Sequence, residues 1–274
     1  AITDHGVMYG VIDFYRAARE VGIKPIIGCE VYVAPGSRFE RENTNSEDRY
    51  YHLVLLAEND TGYHNLMKIV SKGFVDGFYY KPRVDYEVLE TYHEGVIALS
   101  ACLAGEVQRY LARGMYEEAC RSARHYEEIF GKGNFFLELQ DHGISTQKMV
   151  NQGLMRMSRE LSMDLVATND IHYILAEDAA AHDILLCIQT GKTVDDESRM
   201  RYEPQNFYLR SEAEMQALFE GYEGAIENTQ KIADLCNLEF TFGKYHLPEF
   251  KLPEGYDSFT YLKELCDAGY KARY

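Results

Sequence analysis

A chain of 274 residues, 46% hydrophobic and 26% charged, is long enough to bury one large α/β core or two small ones. Its 28 Lys and Arg against 44 Asp and Glu leave a formal net charge of −16, which excludes a broad basic face for clamping duplex DNA and leaves phosphate binding to a small basic cluster or to bound cations. The six cysteines (29, 102, 120, 187, 236 and 266) form no C-x-x-C pair and read as reduced cytosolic thiols, and no run of about 18 apolar residues or basic-then-apolar leader supports a membrane span or signal peptide.

The chain opens on AITDHG, without a methionine, and reads as the stub of a strand in a fragment whose true beginning is missing. Helical spacing follows at Val11, Phe14, Tyr15 and Ala18, then a β-rich run, KPIIGCEVYVA, over residues 24–34. Residues 36–51, GSRFERENTNSEDRYY, offer no apolar face and read as a loop. HLVLLA (52–57) is the next strand, and Leu66, Ile69 and Val70 mark a helix after it. GVIALSA (95–101), NFFLELQ (134–140) and DLVAT (164–168) are further strands. One long helical segment lies between the first two, over 106–130, with Val107, Tyr110 and Leu111 and later Tyr126, Ile129 and Phe130 on its apolar face.

Beyond the last strand the texture changes. Residues 175–188 are amphipathic, Ser211-x-x-Glu214 has capping-box spacing, and a further helix runs from about Tyr222 to Leu235. KYHLPEFKLPEGY (244–256) reads as an extended linker before a last helix that starts at Asp257. Strands alternating with helices at repeats of roughly 25–35 residues imply a largely parallel sheet, either a barrel or an open doubly wound one. Six strand signals are visible, and a missing amino end would supply a seventh.

The residues that close these runs share a chemical kind. The first run ends in Asp4-His5, the second carries Glu30, the run to residue 101 is followed by Cys102, and the last is followed by Asp170 and His172. In a parallel barrel the carboxyl ends of all strands open on one face, so residues far apart in sequence meet there. His52 departs from the pattern, because it precedes its run; it joins the others only if that strand begins earlier or runs at an angle. Imidazole, carboxylate and thiolate are the ligands of zinc and similar borderline cations, and six candidates exceed what one tetrahedral ion takes, which points to a cluster that hydrolyses phosphate esters. Glu30 is the most telling, since an unpaired carboxylate in an apolar strand costs several kcal/mol of desolvation and requires a cation or a protein partner.

Each residue also has a plainer reading. A single His or Asp after a strand is commonly a satisfied polar group or a helix cap, and Cys102 alone is a small buried hydrophobe. His64, His93, His125, His182 and His246 show no matching pattern and read as surface or core residues. His142, in QDHG, again follows a strand and could line the same mouth, but it is not counted among the ligands.

AITDHG, KPIIGCEVYVAP, YYHLVLLAEN, GFYYKPRVD, ALSACLAGEV, LELQDHG and ATNDIHY resemble, in order and spacing, the amino-terminal polymerase and histidinol phosphatase (PHP) domain of bacterial replicative DNA polymerase III alpha subunits. The likeness covers essentially the whole chain. It implies an α/β fold, a distorted seven-stranded TIM-like (β/α)7 barrel lacking its first strand here, with the PHP domain over residues 1–245 and a linker toward the polymerase core over 246–274. It implies a trinuclear metal site with His5, Glu30, His52, Cys102, Asp170 and His172 on its ligand positions, and the remaining ligands upstream of Ala1. The implied cofactors are divalent metal ions, zinc or else manganese or iron, up to three in the intact domain, with magnesium for the parent polymerase.

The function so implied is DNA-directed DNA polymerisation by the parent, with a metal-dependent 3′-to-5′ exonuclease site in this domain; the fragment alone is expected to be inactive. Asp170 and His172 would act catalytically as well as ligate, and Lys81 and Arg83 would offset phosphate charge, the plainer reading of that pair being ordinary surface charge. The alternative is a non-catalytic scaffold that packs against the polymerase core and docks a separate proofreading exonuclease. A free-standing histidinol-phosphate phosphatase is disfavoured by the polymerase-like loops and tail. Implied partners are DNA through the parent polymerase, an exonuclease subunit and other replisome components, with no membrane and a cytoplasmic location.

Overall fold

The computed structural model of the chain describes residues 1–42, 49–245 and 247–274, so part of the polar loop at 36–51 and His246 lie outside the described residues. After an extended amino-terminal stretch come helix α1 (Val11–Glu20), strands β1 (Gly28–Val33) and β2 (Tyr51–Ala57), helix α2 (Asp60–Val75), a hairpin of β3 (Phe78–Tyr79) and β4 (Lys81–Val84), and helix α3 (Tyr86–Tyr92). Strand β5 (Val96–Leu99), helices α4 (Glu106–Ala112) and α5 (Tyr116–Phe130), strand β6 (Phe135–Leu139), helix α6 (Ser145–Leu161) and strand β7 (Leu165–Ala167) follow. A 3-10 turn at Ala176–Asp178 leads to α7 (Ala179–Thr190), α8 (Glu212–Leu218), α9 (Glu227–Leu235) and α10 (Ser258–Arg273).

Seven strands form one sheet in the order β3-β4-β1-β2-β5-β6-β7, barrel-like but not closed by hydrogen bonds among the described residues. The count of seven is reached through β3 and β4, which have no strand pattern in the sequence. AITDHG, expected as the stub of a strand, forms isolated parallel bridges at Ile2–Ile27 and His5–Glu30 rather than a full strand. The sheet is less parallel than the strand–helix alternation implies: β2 runs antiparallel to both neighbours, β1 and β5, whereas β1–β4, β5–β6 and β6–β7 are parallel.

Every residue of β1, β5, β6 and β7 is buried, as befits strands covered on both faces. Alternation sends Cys29, Val31, Leu53, Leu55, Ala98, Leu137 and Leu165 into the main core with the helices. The intervening residues Val54, Leu56, Ile97, Leu99, Phe136 and Val166 form a smaller cluster on the opposite, inner face, closed by Ile232 and Cys236. Glu30, Tyr32 and His52 belong to that inner face, because in the β1–β2 register Glu30 stands opposite Val54 and Tyr32 opposite His52.

The helical segment expected over 106–130 is two helices, separated at Gly114, whose φ of +73° no ordinary side chain adopts cheaply. Asn59 caps α2 by accepting from Gly62 N at 3.0 Å, and the anticipated Ser211–Glu214 capping box forms at the start of α8. The chain divides into two compact units, 1–239 and 240–274, where the sequence reading placed the division after residue 245. The second contains α10, whose first amides at Phe259 and Thr260 both donate to the Asp257 carboxylate at 2.9 Å. Among the described residues no helix is long and apolar enough to cross a membrane.

Candidate metal centre

Glu30 is the third residue of β1 and only 5% exposed, so its carboxylate must be compensated locally. Two imidazoles do this: His5 Nδ1 and His52 Nδ1 each lie 2.7 Å from the same oxygen, Oε1. Donor atoms of His5, Glu30 and His52 all fall within 4.8 Å of one another. The amino-terminal stretch holds His5 beside Glu30 through their backbone bridge. His52 joins them because β2 is reversed. Being antiparallel, it begins at the rim where its parallel neighbours end, and the departure noted in the sequence disappears.

The remaining candidates come to the same rim. Cys102 follows β5 after a turn in which Ala101 has φ +65°, and its Sγ lies 3.6 Å from His52 Nδ1. His172 follows β7; its ring centroid is 5.9 Å from that of His5, and its Nδ1–H donates to Asp170 O at 2.9 Å, which leaves Nε2 with its lone pair available. Asp170, with φ +43°, lies close enough to His5 and Glu30 for their charges to act on its own carboxyl.

The two phosphate-binding candidates separate. Lys81 stands at the rim, its Nζ 5.4 Å from the Tyr32 ring centroid and within electrostatic reach of His5. Arg83 is engaged by the protein itself rather than standing as surface charge. It is 1% exposed, and its guanidinium donates to Gly77 O, Arg49 O, Arg38 O and Glu40 O at 3.4, 3.4, 3.1 and 2.6 Å, so the loop after β1 consumes its donors. His142 is fully buried, with Nε2 donating to Asn169 O at 2.9 Å and Nδ1 accepting from Gln147 Nε2 at 2.9 Å. With both nitrogens engaged it supports the loop carrying Asp170 rather than facing a ligand.

Sequence reasoning passed over several residues here. Glu138 of β6 is buried, accepting from Ala101 N at 2.9 Å, Thr168 Oγ1 at 2.5 Å and Gln140 Nε2 at 3.2 Å, so it ties the turn before Cys102 to the segment before Asp170. A carboxylate inside FFLEL is the same signal that singled out Glu30. Tyr202, His182 and Phe207 crowd His172, with ring centroids at 4.7, 5.6 and 5.5 Å, and no sequence pattern marks them.

Electrostatics follow from burial and crowding. Burial alone would push the Glu30 carboxyl up, but hydrogen bonds from His5 and His52 and their charge hold it at about 2. His5 is raised by its hydrogen bond to Glu30. Burial raises Asp170, with the Glu30 charge adding and His172 opposing, and burial raises the Cys102 thiol, with Glu30 and Asp170 adding. Glu138 is pushed up to about 7 by burial, against the Thr168 and Gln140 hydrogen bonds. Two nearby carboxylates, three imidazoles and a thiol that needs a positive neighbour to ionise form a mixed N/O/S donor set, and it fits a borderline divalent cation such as zinc.

The PHP domain family model matches residues 1–142. Over its whole length the chain is 44% identical to DNA polymerase III subunit alpha of Treponema pallidum, 43% to that of Borreliella burgdorferi and 42% to that of Thermus aquaticus. The matches cover 100% of this chain and 24%, 24% and 23% of those proteins, so the chain spans about a quarter of the length of the curated relatives it matches.

Proposed function

Because this chain belongs to the PHP domain family, we propose that it is the metal-dependent phosphoesterase module of a replicative DNA polymerase III alpha subunit, removing mispaired nucleotides in the 3′-to-5′ direction. The observation that carries this reading is the convergence of His5, Glu30 and His52 within 4.8 Å at a rim shared with Cys102, Asp170 and His172. These six residues would hold the cations: zinc, or else manganese or iron, up to three with ligands from outside this chain. When bound, the ions would polarise the phosphoester and supply a water-derived nucleophile at neutral pH.

The chain's own residues supply the rest. Glu30 enters as an ionised ligand because His5 and His52 keep it so. Glu138 and His142 hold the two loops that carry Cys102 and Asp170. Lys81 offsets charge on the phosphate, and with Arg83 buried it does so without that partner. For the longer protein we propose magnesium-dependent, DNA-templated polymerisation in a cytoplasmic replisome.

The test combines metal analysis of the full-length protein with degradation of a primer carrying a 3′ mismatch. Asp170→Ala and His172→Ala should abolish degradation and spare polymerisation. Full-length protein that holds no stoichiometric metal and leaves the mismatch intact would refute the reading. A scaffold role is the second reading, favoured by one observation: Ile184, Leu185 and Ile188 of α7 are 52%, 61% and 72% exposed, an apolar surface that suits packing against the polymerase core or a proofreading exonuclease. In that case the same variants would lose thermal stability or partner binding, with no nuclease activity to lose.

A further inference from the structure

The mouth carries a feature the ligand set does not use. Two phenols, Tyr32 and Tyr202, reach it from different parts of the chain, and among the described residues neither hydroxyl has a hydrogen-bond partner. Tyrosines with buried rings ordinarily find one. Tyr32 lies two residues after Glu30 in β1 and so projects from the same face. It is 4% exposed and packs edge-on against His52 and Tyr50, with centroids at 5.3 and 4.9 Å. Gly6, at φ +69°, makes room for it, since a Cβ there would meet Tyr32 Cε2 at 2.8 Å.

Tyr202 is delivered by the segment that returns after α7, and that segment is firmly held. Arg199 makes two bonds to Asp183, at 2.6 and 2.7 Å; Asn206 Nδ2 donates to His142 O at 3.0 Å; His172 N donates to Phe207 O at 2.9 Å; and Leu209 N donates to Ile174 O at 3.2 Å. Its ring is occupied by His172, Phe207 and His182, with centroids at 4.7, 4.8 and 5.2 Å, so what it leaves for a ligand is the hydroxyl rather than a stacking face. The groups whose charge bears on Tyr202 are Asp170, Cys102 and Glu30, and those bearing on Tyr32 include Glu30 and Tyr202 itself. Tyr32 packs against His52 and Tyr202 against His172, so both rings border the same ligand set.

We propose that the Tyr32 and Tyr202 hydroxyls donate hydrogen bonds to the non-bridging oxygens of a phosphate group at this mouth, so that the site recognises the phosphate end of a nucleotide through neutral donors as well as through charge. This rests on the phosphoesterase reading. An acidic chain whose Arg83 is spoken for has few cations to spend on phosphate, and a phenol contributes a donor without competing with a metal for the carboxylates.

The test uses the full-length protein loaded with zinc or manganese and titrated calorimetrically with inorganic phosphate and with dTMP. Tyr202→Phe and Tyr32→Phe remove only the hydroxyl and should each weaken both probes about tenfold or more, the loss expected for a hydrogen bond to a charged acceptor. Metal content and melting temperature should match the wild type. Variants that bind phosphate as the wild type does would overturn the proposal, and so would a loss of affinity that merely follows a loss of metal. The two readings separate cleanly. Tyr-dependent phosphate binding by a protein that never degrades DNA refutes the phosphoesterase and leaves the donors assigned, whereas a degrading enzyme whose Phe variants bind phosphate normally refutes only the donors.

Discussion

Glu138→Gln should change sign in its effect on stability as pH rises. The carboxyl titrates at about 7 in the folded protein, because burial opposes its ionisation, against an ordinary value of 4.5. A folded pKa raised above the unfolded one means that the folded state holds the proton more tightly. The stabilisation is therefore complete below about pH 4.5 and is lost as pH climbs to about 7; over that gap, at about 1.36 kcal/mol per pH unit, the loss is about 3 kcal/mol. Glutamine cannot ionise, so it escapes that loss, but it replaces one acceptor oxygen with an NH2 among the three donors that now converge there, Ala101 N, Thr168 Oγ1 and Gln140 Nε2. That mismatch costs about 1–3 kcal/mol at any pH. The variant should be less stable than wild type by about that amount at pH 5 and equal or more stable at pH 8. Urea melts of the chelated full-length protein at the two pH values measure the difference, and subtracting variant from wild type removes the titrating groups that do not act on Glu138. A difference independent of pH, or one that grows more unfavourable at pH 8, would refute the argument from burial.

Arg83→Met should destabilise the protein by about 3 kcal/mol or more in urea melts, because the Arg38 and Glu40 carbonyls lose their donor, and should leave phosphate affinity alone. Ser162→Gly should stabilise by about 0.5–1 kcal/mol in the same melts, since Ser162 caps α6 at φ +56°, where glycine carries no Cβ penalty. Cys102→Ala should weaken metal retention in a chelator competition by at least about tenfold while the fold persists, and its wild-type counterpart should bind metal more tightly at pH 8 than at pH 6, since burial keeps the thiol protonated until a cation displaces the proton.

What the sequence revealed and what it hid have physical reasons. Glu30 was legible because a carboxylate within IIGCEVYV has no apolar justification. Glu138 sends the same signal from FFLEL, yet there it mimics a strand with one wet face, and only the tertiary structure makes both faces dry. His52 was visible as a ligand type but not as a neighbour of Glu30, since hydrophobic alternation has a period and no direction, and the reversal of β2 is written in loop lengths and packing. The hairpin of β3 and β4 is too short, and too interrupted by Lys81 and Pro82, to show a strand pattern. Helix α6 hid because buried Gln147 and Asn151 interrupt its stripe of Val150, Leu154 and Met157, and those two amides serve His142 and Gln140. Arg83 read as surface charge because three of the four carbonyls that satisfy it belong to Arg38, Glu40 and Arg49, which no local pattern connects to it.

The reversed strand also explains why the charges crowd as they do. In an all-parallel barrel each strand contributes its last residues to the rim, and neighbouring contributions are separated by the strand spacing. Reversing β2 places His52 directly opposite Tyr32 in an antiparallel pair, next to Glu30 on the same face, so that two adjacent strands load one spot. The result is a carboxylate held ionised at about 2 by two imidazoles, while Glu138, three strands along the sheet, titrates near 7 and burial raises Asp170. Carboxyls that share one low-dielectric mouth yet hold their protons so differently divide the work: the one kept charged by two imidazoles is fit to ligate, and the one ringed by three donors is fit to hold loops by hydrogen bonds. Added positive charge at the mouth would favour ionisation of Asp170 and Cys102 most, because they stand with Glu30 at the rim.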